Sequence, residues 1–196
     1  MPARQNSLET RCGWAVDVPD AYREYHDHEW GVAVRDDQGL YERVCLEGFQ
    51  AGLSWWTILS RRPAFREVFA NFDPAIVATY SPEQVALLRS DERIIRHEGK
   101  INAAIGNAKA VLKLGAGGLS ELIWSHQPSS QSRPIADQIL SQTPGSVSLA
   151  KALKSAGFGF IGPTTAYALM QACGLVNDHV VGCAAGDRLA ASVPFG

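Results

Sequence analysis

The chain has 196 residues, 46% hydrophobic and 19% charged, with a formal net charge of −2. That length lets one domain, or two small lobes, bury a proper core. The near-neutral balance excludes a protein that holds polyanions by bulk charge, and no apolar stretch nears the ~20 residues that span a bilayer.

Residues 1–10 are polar, lack the apolar core of a signal peptide, and are expected to be a flexible extension. A helical domain over 11–186 and a tail over 187–196 follow. Val32-Ala33-Val34 and Val180-Val181 are the scarce hints of β-pattern, and both are short. Residues 38–60 read as one longer helix with Leu40, Val44, Gly48, Ala51, Trp55 and Leu59 on one side. Pro63, Pro74 and Pro82 stand where helices begin, giving short helices over 63–70, 74–80 and 82–90. In 100–114, Ile101, Ala104, Ile105, Ala108, Val111 and Leu112 carry the spacing of an amphipathic helix. Gly115-Ala116-Gly117-Gly118 stops it. Further helices are expected over 118–125, 147–156 and 163–173, with a long Ser-, Gln- and Pro-rich loop over 126–146. The fold class is mainly α.

Cysteines at 12, 45, 173 and 183 are too few and scattered for a disulfide framework. With no secretion signal, a reduced, cytoplasmic chain is expected. His179 and Cys183 have a spacing suited to two ligands on one metal, and Cys12 and His26 would complete a Cys2His2 tetrahedron. Zinc favours such N/S sets, and four protein ligands would make the ion structural. Ordinary thiols and hydrogen-bonded histidines are the alternative, and spacing leaves it open. His26-x-His28 followed by acids also fits a catalytic metal, given further ligands elsewhere.

Glu47 lies among Leu46, Gly48, Ala51 and Gly52, residues that let elements pack closely, and Trp55 and Trp56 follow. A carboxylate in such a segment needs a partner. A helix N-terminus, a buried Arg or a flat ligand would each serve, and the indoles favour the ligand. Trp14, Tyr22, Tyr25 and Trp30 lie in the same part of the chain and suit either a core or a stacking pocket. Residues 154–166 read as helix, glycine hairpin, helix, with Gly157, Gly159 and Gly162 before Pro163 and Thr164. The glycines allow close approach of a backbone, and the next helix N-terminus offers N–H groups to a phosphate. An ordinary corner with Phe158 and Phe160 in the core is the other reading. Arg89, Arg93, Arg96, His97, Lys100, Lys109 and Lys113 form a candidate basic patch, Lys151 and Lys154 a weaker one; solvated helix faces explain most such runs.

Taken together, several blocks resemble the 3-methyladenine DNA glycosylase I family of helix-hairpin-helix glycosylases. They are Arg11-Cys12-Gly13-Trp14, the run from Tyr25 to Val32, Cys45-Leu46-Glu47-Gly48 on to Trp55, Ile94 to Ile101, Ile105 to Ala108, and Met170 to Cys183. The resemblance implies a compact helical domain at 11–186 that flips 3-methyladenine out of alkylated double-stranded DNA, cuts its glycosidic bond with water, and releases the free base. It implies one structural zinc on Cys12, His26, His179 and Cys183, joining the N- and C-terminal segments. It also implies catalytic roles for Glu47 and Tyr25, base contacts from Trp14, Tyr22 and Trp55, and a phosphate grip at Gly157, Gly159, Gly162 and Thr164. No lysine stands in the hairpin, so a monofunctional enzyme is expected, as is a monomer. Asp178 is a secondary catalytic candidate beside His179. His28, Phe49 and Trp56 depart from the family pattern. Acceptance of 3-methylguanine, the residue that wedges into the duplex, and the role of Trp56 are left unassigned.

Overall fold

The computed structural model describes residues 10–135 and 140–192. Among these residues there is no β-strand, and the helices are α1 (Asp20–His28), α2 (Asp37–Gln50), α3 (Trp55–Leu59), α4 (Arg62–Val68), α5 (Pro74–Val77), α6 (Pro82–Ser90), α7 (Glu98–Leu114), α8 (Gly118–Trp124), α9 (Pro144–Ser155), α10 (Pro163–Ala172) and α11 (Ala184–Ser192). Short 3-10 turns cover Gly13–Ala15 and Ala70–Phe72. None of the helices is long and apolar enough to cross a membrane.

Local chemistry sets most boundaries. Asp36 caps α2 by accepting from the Gly39 N–H at 2.7 Å. Ser81 and Gln84 make a reciprocal capping box at α6, and Thr143 and Ser146 make another at α9. The second box, with Pro144 in the first turn, starts α9 earlier than the 147 expected from periodicity.

The expected single helix over 38–60 is two helices. Gly52 has φ +81°, a left-handed conformation that suits glycine. Ser54 then caps α3 by accepting from the Thr57 N–H at 3.2 Å. The C-terminus of α2 is held by Lys100, whose buried Nζ donates to the carbonyls of Phe49 at 2.9 Å and Ala51 at 2.7 Å. A cation there also complements the helix dipole.

Val32-Ala33-Val34 forms no ladder; the Val34 N–H makes one backbone bond, to Cys173 O at 3.1 Å. Of the expected extension over 1–10, all but Thr10 lies outside the described residues, as do 193–196 of the expected tail. The expected boundary after 186 falls inside α11.

The core is built where α2 and α7 cross and α10 packs on α2 and α9. Leu40, Leu46, Phe49, Phe65, Phe69, Phe72, Ile101 and Leu149 are fully buried there, each contributing about 1.5–3 kcal/mol. The Tyr41 hydroxyl crosses from α2 to donate to Ala104 O at 2.9 Å. A second, smaller cluster of Cys12, Tyr25, Trp30, Leu59, Ala172, Cys183 and Ala185 joins the two ends of the chain. The last turns of α2 lie between these two cores, and Glu47 stands in them.

Candidate functional site

Glu47 is 4% exposed and lines a cleft of about 190 Å³ with Trp14, Tyr22, Tyr25, Trp30, Gln50, Trp55, Ala168 and Gln171. Its Oε2 has no hydrogen-bond partner, and neither has the buried indole N–H of Trp55. Among the described residues no hydrogen-bonded structural partner of the kind sequence left open is found. Arg43, one turn earlier, makes its ion pair with Glu29 at 3.7 Å, while Glu29 is held bidentately by Arg62 at 2.6 and 2.7 Å. Burial pushes the Glu47 carboxyl from 4.5 up to about 8, although Arg43 pulls the other way. Burial, and then Glu47, also raise the phenols of Tyr22 and Tyr25, which therefore stay protonated and able to donate.

Larger clefts of about 400 and 530 Å³ lie near Tyr167 and near Arg89. The orphaned buried side-chain atoms among the described residues belong to Glu47, Trp55 and Arg43, so the small aromatic cleft is the stronger candidate.

The aromatic wall has depth. Tyr25 meets Trp55 at 5.2 Å between ring centroids, and Trp14 meets Tyr22 at 5.4 Å. Trp56, unexplained by sequence, stacks on Tyr22 at 5.9 Å with planes 15° apart. It braces Tyr22, which lines the cleft, without lining the cleft itself.

The hairpin turns between α9 and α10. The Phe158 N–H bonds to Leu153 O and the Gly157 N–H to Lys154 O, both at 3.0 Å, a Schellman ending with Gly157 at φ +102°. Gly162 caps α10 without a side-chain hydrogen bond, so the first N–H groups of that helix, at Thr164 and beyond, have no side-chain cap. Asn107 holds the turn, accepting from the Gly159 N–H at 2.7 Å and donating to Gly159 O at 3.4 Å. The alternative of two core phenylalanines holds for Phe158 alone. Phe160 is 44% exposed at φ +53°, packed beside Gly48 and the His97 ring. The hairpin therefore sits one residue from Glu47.

Cys12, His26, His179 and Cys183 come together, their ligand atoms all within 4.8 Å and all four residues buried. This set could hold a metal ion. Cys183 Sγ lies 3.4 Å from His179 Nδ1 and 3.6 Å from His26 Nε2, and Cys12 Sγ lies 3.7 Å from His179 Nδ1. The outer nitrogens are also engaged: His26 Nδ1 with Asp27 Oδ1 at 2.8 Å, and His179 Nε2 with Trp30 O at 3.0 Å. Those contacts fix the tautomers that turn a lone pair inward from each ring. Asp27 is in turn gripped by Arg11 at 2.7 Å. The two thiols share a proton: Cys183 is held low, first by Cys12 and then by the two histidines, while Cys12 is held high, first by Cys183 and then by burial. His28 does not join the cluster. It is exposed and pairs with Glu24 at 3.6 Å, so among the described residues the catalytic-metal alternative on His26 and His28 does not form.

Most of the candidate basic patch is already neutralised or buried. Arg89 pairs with Glu98 at 3.0 Å, Arg93 with Asp91 and Glu67 at 2.8 Å, and Arg96 with Glu92 at 3.5 Å. Lys100 serves α2, as described.

One surface residue carries no signal in sequence. Leu53 is 41% exposed in the turn between Gln50 and Trp55, both of which line the cleft. An exposed apolar side chain on the short turn that joins two cleft-lining residues is visible only once the turn is seen.

Residues 14–186 match the family described as methyladenine glycosylase. DNA-3-methyladenine glycosylase 1 of Escherichia coli K12 is 49% identical over 178 residues, covering 88% of this chain and 95% of its own. A crystal structure of 3-methyladenine DNA glycosylase I superposes with a TM-score of 0.85 at 45% identity, covering 89% of this chain and 98% of that one. A tyrosine-to-phenylalanine variant of such an enzyme, in complex with 3-methyladenine, superposes with a TM-score of 0.84 at 31% identity, over 90% and 97% of the two chains.

Proposed function

The chain belongs to the methyladenine glycosylase family, and from that premise we propose that it excises 3-methyladenine from alkylated DNA and that the Glu47 cleft receives the base. A single observation carries the assignment of the cleft: a buried carboxylate oxygen of Glu47 and the indole N–H of Trp55 have no hydrogen-bond partner among the described residues, and both residues line one aromatic cavity.

A base cannot be cut from its sugar while stacked, so the nucleotide is extruded. 3-Methyladenine is cationic while bound to deoxyribose, which already weakens the glycosidic bond. The pocket needs to recognise and hold more than to protonate. Ionised Glu47 complements the cation and accepts from its N–H groups. Trp55 and Trp14 stack on the electron-poor ring, Tyr22 lines the same wall, and Tyr25 donates its hydroxyl. Water attacks the sugar carbon, the bonding pair leaves with the base, which departs neutral, the water's second proton passes to solvent, and an abasic site remains. Gly157, Gly159, Gly162 and Thr164 take the phosphate backbone on the N-terminus of α10.

We assign one zinc ion to Cys12, His26, His179 and Cys183. Zinc–sulfur and zinc–nitrogen lengths of about 2.3 and 2.0 Å give tetrahedral sulfur–nitrogen edges of about 3.5 Å, close to the 3.4–3.7 Å between these atoms. Such an ion is structural: all four positions are protein ligands. Free, buried thiols at Cys45 and Cys173 accord with a reducing cytoplasm, and the enzyme is expected to act on double-stranded DNA as a monomer.

Purified protein incubated with methylated DNA is expected to release 3-methyladenine, read by chromatography of the free bases. No release by folded protein rejects the assignment. Leu53, on the short turn that joins two cleft-lining residues, fills the gap left in the base stack. Leu53→Ala is expected to lower release from duplex DNA about tenfold and to leave binding of free 3-methyladenine unchanged by fluorescence titration. Equal rates for variant and wild type on duplex would remove Leu53 from that role.

A further inference from the structure

Gln171 lines the base cleft from the last turn of α10. Its Nε2 donates to Asp178 Oδ2 at 2.7 Å. Asp178 is 5% exposed and collects two further donors: the Tyr167 hydroxyl to Oδ2 at 2.6 Å and Gln131 Nε2 to Oδ1 at 2.7 Å. Burial, and then Asp178, keep the Tyr167 phenol protonated and donating. A carboxylate accepts only, so it selects the N–H2 end of an amide facing it. Gln171 is thereby fixed in one of its two orientations. Its carbonyl oxygen is the end left for the cleft.

We propose that Asp178 and Gln171 determine which alkylated purine the cleft accepts, an inference that rests on the glycosylase reading above. Asp178 is a positioning residue, and Gln171 is the contact. The Gln171 carbonyl accepts from the exocyclic amine that adenine carries at its sixth position. Guanine has an acceptor oxygen at that place, and two facing acceptors in a confined site repel. Asp178 does not line the base cleft; it takes three protein donors, Gln171 among them, and acts on the cleft through Gln171. If the carboxylate becomes an amide, Gln171 can turn over and offer N–H2 to the cleft, and the discrimination goes with it.

The test uses the whole protein on DNA treated with dimethyl sulfate, which carries both 3-methyladenine and 3-methylguanine. Gln171→Ala is expected to lower the ratio of 3-methyladenine to 3-methylguanine released at least tenfold, and Asp178→Asn to lower it in the same direction. Folding is checked by circular dichroism, and Gln171→Ala tests the contact even where Asp178→Asn fails to fold. An unchanged ratio in folded Gln171→Ala overturns the proposal. A folded Asp178→Asn that slows release of both bases equally overturns the positioning role, since a merely structural defect does not choose between purines. Wild-type protein that releases neither base rejects instead the glycosylase reading beneath it.

Discussion

Glu47→Gln is expected to lower 3-methyladenine release more than tenfold, a loss of about 1.4 kcal/mol or more, while making the folded protein more stable. Both effects come from one cause. The carboxyl sits in a dry cleft that raises it from 4.5 to about 8, so ionising it in the folded state is costly. A carboxyl raised on folding leaves the native state holding more protons than the unfolded chain between those two values. Stability is therefore undiminished below about pH 4.5, falls as pH rises, and reaches its full penalty above about pH 8. The ceiling is about 5 kcal/mol at about 1.4 kcal/mol per pH unit. Glutamine never ionises and escapes it. Urea denaturation of both proteins should show equal stability at pH 4 and a gap of about 3–5 kcal/mol in favour of Glu47→Gln at pH 8. A gap that does not change with pH refutes the burial argument.

The same penalty bears on selectivity. A cationic base repays the cost of ionising Glu47; a neutral base does not. If the lesion binds Glu47 as proposed, its binding releases the Glu47 proton, and kcat/KM on methylated DNA should rise with pH and level off above about pH 8. A flat profile across that range would remove the ionised carboxylate from recognition.

Cys183→Ser is expected to lower the melting temperature by about 10 °C and to abolish release of the base at 37 °C. Loss of a structural metal is among the few single changes that cost about 4 kcal/mol or more, and a chain of this length melts about 2–4 °C earlier per kcal/mol. The site joins the Gly13–Ala15 turn and α1 to the segment before α11. Trp14, Tyr22 and Tyr25, three walls of the cleft, ride on that N-terminal segment. The α2–α7–α10 core does not depend on it, so pocket and activity should fail before the helices do. Native mass spectrometry should find one zinc ion on the wild type, lost on denaturation. A folded, ion-free wild type with an unchanged melting point would end the zinc assignment.

Much of the site was legible because its chemistry departs from what packing alone requires. A lone carboxylate among glycine, alanine and leucine has to be explained, and Glu47 could be picked out without coordinates. Cys12, His26, His179 and Cys183 were legible as donor types. The glycines from 157 to 162 announced a hairpin. Other features left no such mark. Periodicity carried α2 straight through to residue 60, because Gly52 and Ser54 break a helix only when the turn between them is used. Phe158 and Phe160 look alike in sequence, yet one is buried and the other exposed. The basic run reads as a solvated face or a patch, and the structure pairs its arginines with acids, Arg93 and Arg96 with Asp91 and Glu92 close by in the chain, Arg89 and Arg93 with Glu98 and Glu67 on other helices.

What the sequence alone determined was which groups the protein owns and the helical periods that bury an apolar face: the stranded carboxylate, the thiol and imidazole donors, the glycine hairpin. What only the tertiary structure decided was which of those groups lack a partner. Whether Glu47 meets Arg43, whether Gln171 shows its oxygen or its nitrogen, and whether Trp56 faces a base or braces Tyr22 depend on contacts between residues far apart in the chain. Hydrogen bonds act over about 3 Å, and sequence distance says nothing about that scale.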